Sequence, residues 1–84
     1  MNKAEVIKSV YNTKYEKWDC LVYRPKGTVV TKTHFCSTYK EPYDVWIIST
    51  DATATVDNGY PELTFYNEED ALYHWENHVL KEDN

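Results

Sequence analysis

His74 and His78 stand four residues apart, and His34 precedes Cys36 by two positions. Imidazole and thiolate are zinc ligands, so a strand carrying His34 and Cys36 packed against a helix carrying His74 and His78 would assemble a tetrahedral donor set. The local spacing argues against that chemistry. In His74-Trp75-Glu76-Asn77-His78 the glutamate follows the first histidine by two positions, so the zinc-protease arrangement HExxH is missing. There is also no Cys-x-x-Cys pair to mark a structural finger. The plain reading is two solvated helix histidines and a buried strand cysteine at Cys36, with no metal and no other cofactor. Cys20 or Cys36 as nucleophile, with His34 or His74 as base, lacks any motif that would build an oxyanion hole. Gly27 and Gly59 are the chain's two glycines and form no phosphate-cradling loop. The many carboxylates fall in a first helical turn and in loops, where solvation and dipole pairing are their ordinary roles. The expectation is a protein that is not an enzyme.

Charge carries more information. Residues 1–40 hold eight bases against three acids, a balance of +5, whereas residues 41–84 hold eleven acids against Lys81, a balance of −10. Such asymmetry can steer a charged partner towards one face. The aromatic content points the same way. Leu, Ile, Val and Phe together number 17 of 84 residues, near the composition at which charged chains stay disordered. Eight Tyr and three Trp shift the balance towards folding, because each buries a large area and keeps a polar group for the rim. No stretch reaches the roughly 20 apolar residues of a membrane span. The first residues lack the apolar run of a signal peptide, so no membrane contact and a cytoplasmic location are expected. In that compartment Cys20 and Cys36 are expected to be free thiols.

These residues need elements to position them. Ala4, Ile7, Tyr11, Tyr15 and Trp18 recur at helical spacing, with Asn2 and Glu5 at capping-box distance, which predicts an N-terminal helix. Asp19–Arg24 and Thr28–Cys36, joined by Pro25-Lys26-Gly27, predict a hairpin whose paired residues sum to 53, followed by a polar link over Ser37–Pro42. Tyr43–Thr50 is read as a central strand because both faces carry large apolar groups. Thr53–Val56 and Tyr60–Phe65 around Asn58-Gly59 predict a second hairpin, with Pro61 directing its second arm to a sheet edge. Asn67 as cap, acids at Glu68, Glu69 and Asp70, and the stripe Ala71, Leu72, Trp75, Val79 predict a C-terminal helix fraying after Leu80. The expected fold class is α+β: a single domain over residues 1–84, with a short antiparallel sheet of four to five strands and both helices on one face.

The functional expectation follows from the acidic half. Glu62, Tyr66, Glu68, Glu69, Asp70, Tyr73 and Glu76 are the candidate partner-binding residues, with Trp75 assigned to the core. Carboxylates can fill the phosphate sites of a protein that normally holds nucleic acid, while tyrosines enter the apolar pockets between them. In style the chain resembles the small inhibitors and host-takeover proteins that bacteriophages encode, which implies a host protein with a basic groove as partner. A nucleic-acid-handling or antiviral-defence enzyme would fit. The alternative is single-strand nucleic-acid binding by the first half, where Lys8, Lys14, Lys17, Arg24 and Lys26 interleave with Tyr11, Tyr15, Trp18 and Tyr23. Against it stand a single arginine among the eight bases and the repulsive field of the acidic half, so nucleic acid is not the expected partner. A self-assembling subunit, its oppositely charged halves meeting head to tail, is a third reading that leaves the oligomeric state open.

Overall fold

In the computed structural model, residues 3–50, 54–59 and 62–82 are described. Among them, β1 (Glu5–Asn12), β2 (Lys17–Arg24), β5 (Val45–Ser49) and β7 (Leu63–Phe65) form an antiparallel sheet in the order β1-β2-β5-β7. A second sheet has the order β4-β3-β6, from β3 (Val29–Lys32), β4 (Ser37–Lys40) and β6 (Val56–Asp57), with β3 and β6 parallel. Near the C-terminus come α1 (Glu68–His74), a π turn over Trp75–Val79, and α2 (Leu80–Glu82). The arrangement is α+β, but two sheets, one of them with a parallel pair, replace the expected single antiparallel sheet of four to five strands, and there is one helical segment among the described residues.

The N-terminal helix does not form, because residues 5–12 are the edge strand β1. The cause lies in a bulge. Regular pairing with β2 shifts between Val6 and Lys8, leaving Ile7 as the extra residue. Residues three apart normally point to opposite faces of a strand, but the inserted residue resets the phase. Ile7 and Val10 therefore both pack on the core cluster formed with the C-terminal helix. An interrupted period of two thus imitates a period near 3.6, and the β-branched Val6, Ile7 and Val10 favour the extended form. Asn2 lies outside the described residues.

The expected β2–β3 hairpin is also absent. Thr28 N donates to Pro25 O at 3.0 Å and Gly27 has φ +88°, the positive φ that a type II turn requires at its third residue. Turns of that hand splay the flanking strands instead of pairing them. The chain accordingly leaves β2 and enters the other sheet, where β3 pairs with β4 and the supposed polar link becomes Ser37–Lys40. Thr33–Phe35 is a single 3-10 turn and Cys36 adopts a left-handed conformation at φ 49°. The second predicted hairpin fails similarly: β6 joins β3 and β7 joins β5. Its remaining positions Thr53, Tyr60 and Pro61 lie outside the described residues.

Two expectations match closely. The central strand is β5, flanked by β2 and β7, with Trp46 half-buried and its other four residues buried. Alternation along β2 sends Leu21 towards the helix, in a cluster with Ile48, Ala71, Trp75 and Val79. Cys20, Val22 and Arg24 point the other way and are also buried. The C-terminal helix starts at Asn67, whose Oδ1 accepts from Asp70 N at 2.8 Å while its Nδ2 donates to Asp70 Oδ2 at 2.8 Å. Contrary to the expected fraying after Leu80, it passes through the π turn and remains helical to Glu82. No helix among the described residues is long and apolar enough to cross a membrane.

Candidate interaction surface

The helix period sorts the predicted binding residues. Ala71, Trp75 and Val79 are buried, so the opposite side of α1 and the π turn presents Glu69, Tyr73 and Glu76 at successive turns. Glu68 and Asp70 are also exposed, Asp70 being tied to Asn67. Tyr73 is 66% exposed and Tyr66, just before the cap, 68%. Tyr43 stands edge-on to Tyr66 with ring centroids 6.2 Å apart, and is 64% exposed. The structure thus brings Tyr66 together with a tyrosine that the sequence reading left inside a strand. Its signal was the context Pro42-Tyr43-Asp44, a turn-like run ahead of the strand.

Glu62 is placed differently from the other six. Its side chain is 15% exposed and its Oε1 lies 3.7 Å from Nη2 of Arg24. Arg24 itself is fully buried. Its Nε donates to Ala54 O at 2.8 Å, Nη2 to Val56 O at 3.2 Å, and Nη1 to Glu41 Oε2 at 3.4 Å and Tyr39 Oη at 3.5 Å. One side chain from the first sheet therefore satisfies backbone and side-chain acceptors on the second sheet (Tyr39, Val56) and on the chain next to it (Glu41, Ala54). Burial pushes the Glu62 carboxyl above its ordinary range; Arg24 pulls it back, and Asp57 pushes it further up. Tyr39 is raised by burial and then by the carboxylate of Glu41. Counting Arg24 among the surface bases was the error here, since its neighbours in sequence give no sign of partners contributed by β4, β6 and the start of β7.

Two of the three histidines meet. His74 and His78 have ring centroids 4.6 Å apart, and Phe65 lies 5.4 Å from His74. Both histidines line a cleft of about 390 Å³ with Asn12, Asp19, Ser49 and Glu62. His34 sits instead in the 3-10 turn beside Gly59. No group of three or more His, Cys, Asp or Glu residues able to hold a metal occurs among the described residues. Cys36 is exposed, not buried as expected, while Cys20 is buried in β2 and the two are not joined. Solvation explains this, because Cys36 follows a turn instead of continuing a packed strand.

Three aromatic residues of the basic half, Tyr11, Tyr15 and Trp18, gather at the β1–β2 turn. Tyr11 and Trp18 are register partners with centroids 5.5 Å apart, and both are about half-exposed. Lys14 and Lys17 hold their ammonium groups 5.2 and 5.7 Å from the ring centroid of Tyr15. Lys17 also pairs with Asp19 at 3.7 Å. Tyr23 is stacked on Trp46 and half-buried, so it does not join them. No protein-family model, curated protein or solved structure matches this chain.

Proposed function

We propose that this protein is a small non-enzymatic binder that attaches to a basic groove of another protein through the acidic, tyrosine-bearing side of its C-terminal helix. The carrying observation is the exposure of Tyr66 and Tyr73 among the carboxylates of Glu68, Glu69 and Glu76. Large amphipathic rings surrounded by charge are suited to anchor an interface while the carboxylates accelerate encounter. In the phage-type setting that the chain resembles in style, the partner is a host enzyme that handles nucleic acid or serves antiviral defence. The acidic side then inhibits it by taking the place of phosphates. The test is affinity capture of the tagged protein from bacterial lysate, with rising salt and with or without nuclease. One stoichiometric protein that survives nuclease and leaves with salt supports the reading; exclusively nuclease-sensitive material counts against it.

A second reading rests on the exposed trio Tyr11, Tyr15 and Trp18 beside Lys14 and Lys17. Rings for base stacking and ammonium groups for phosphates would suit a single strand. Salt-sensitive retention of an oligonucleotide, lost in Lys14→Glu/Lys17→Glu, would favour it over the first.

A further inference from the structure

The exposed Tyr43 and Tyr66 both line a small pocket. Tyr39, Pro42, Tyr43 and Tyr66 form much of its wall, with Glu41 and Glu62 contributing carboxylates. Its volume is about 200 Å³, below the roughly 300–1,000 Å³ of sites that enclose a whole small molecule. That size suits the tip of one side chain. A more open depression lined by Tyr43, Asp44 and Tyr66 shares two of these tyrosines.

Charge selects which side chain. Arg24 stands against both Glu41 and Glu62, so one guanidinium faces two carboxyl groups in this network, and Glu62 is also hydrogen-bonded to Ser49. Asp57 faces Lys32 in the register between β6 and β3, while Asp44, whose Oδ1 accepts from Lys26 N at 2.7 Å, lines the neighbouring depression. Cationic groups bind the faces of aromatic rings, and three tyrosines around an anionic floor provide both attractions. The fold already contains one such contact here: Lys32 Nζ lies 5.1 Å from the centroid of Tyr39. Lys32 is not part of the pocket wall. Burial is the first cause of the raised Glu62 carboxyl and Tyr39 phenol, and neighbouring carboxylates push both further up while Arg24 pulls them back.

We infer that the pocket bounded by Tyr39, Tyr43 and Tyr66 over Glu41 and Glu62 receives the ammonium tip of a lysine side chain from the partner protein. This rests on the interaction reading above and gives it a specific anchor. Electrostatic attraction draws the lysine towards the acidic side, and the rings retain its last methylene groups together with the charge.

The test uses the full chain labelled with ¹⁵N and titrated with N-acetyl-lysine methylamide, with N-acetyl-norleucine methylamide as the neutral comparison. Expected are saturable amide shifts at Tyr39, Thr64 and Tyr66, and affinity for norleucine at least tenfold weaker. Tyr66→Leu should weaken lysine binding at least fivefold and Tyr66→Phe should preserve it, the spectra of both variants reporting the fold. Equal response to norleucine, or unsaturable shifts spread over the helix acids, overturns the inference. So does equal loss in the Phe and Leu variants. Partner capture separates this from the parent reading. If Glu69→Lys/Glu76→Lys abolishes capture while the lysine amide fails to bind, the pocket falls and the interaction surface stands. If the amide binds and those charge reversals leave capture intact, the helix surface falls and the pocket stands.

Discussion

The guanidinium of Arg24 stands 3.4 Å from the carboxylate of Glu41, with side-chain exposures of 1% and 8%. The pair fastens the end of β2 to the chain just beyond β4, hence one sheet to the other. Its value to the fold lies in mutual neutralisation. Removing one member of a buried pair leaves an uncompensated charge, at a cost of about 3–5 kcal/mol. Arg24→Met should therefore lower unfolding free energy by about that amount in urea titrations. Adding Glu41→Gln should recover part of it. A double variant less stable than Arg24→Met by the full cost of Glu41→Gln alone would show that the two residues act independently.

Glu62 makes stability depend on pH in an unusual direction. Burial raises its carboxyl above the ordinary 4.5, so the folded state holds the proton more tightly than the unfolded chain. The contribution is fully present below the unfolded value and is lost as pH rises through the raised folded value. Relative to Glu62→Gln, the native protein should lose stability from pH 4.5 upwards. Urea unfolding across the acid range checks this, and a relative gain would refute it. Tyr39 should act likewise above pH 10, with Tyr39→Phe abolishing the alkaline loss.

Gly59 and Gly27 have nearly the same positive φ, +87° and +88°, but different surroundings. A Cβ on Gly59 would overlap the imidazole of His34, whereas one on Gly27 meets nothing within 4 Å. Both alanine variants should be destabilised by the backbone conformation, by about 1 kcal/mol or more. Gly59→Ala should lose more, and the excess should disappear in the His34→Ala background. Thermal unfolding of the four variants measures that coupling.

Charge reversal on the helix must avoid Asp70, because that carboxylate accepts from Asn67 and helps cap the helix. Glu69→Lys/Glu76→Lys should slow association with the captured partner and leave the far-ultraviolet spectrum unchanged. Asn67→Ala should instead destabilise the fold by about 1 kcal/mol. Stopped-flow association and urea unfolding distinguish the two. A partner whose on-rate ignores the reversal does not use this surface.

The elements that could be read from sequence are those whose determinants are local. The helix of Asn67 to Val79 carries its cap, first-turn acids and apolar stripe within one segment. Strand β5 carries apolar groups on both faces within five residues. β1 imitates a helix in sequence because the bulge at Ile7 arises in pairing with β2 and not from local preference. The β2–β3 junction was misread because the hand of the turn at Gly27, and not the presence of turn residues, decides whether strands pair. The surface divides the same way. Exposure of Glu69, Tyr73 and Glu76 follows from the helical period, but the inward position of Glu62 depends on Arg24, remote in sequence. Tyr43 became visible as part of the surface through its contact with Tyr66.

The bulge at Ile7 also governs what the outer margin of the larger sheet offers to a neighbour. β1 closes the order β1-β2-β5-β7 on one side, a position where a regular strand would be a template for endless strand addition. The extra residue twists that margin out of plane, and the next position is Lys8, whose charge repels a second copy of itself in register. Deleting Ile7 would flatten the margin and shift every preceding side chain to the opposite face. Such a deletion should promote polymerisation along the sheet, seen as larger species on sizing relative to the native chain.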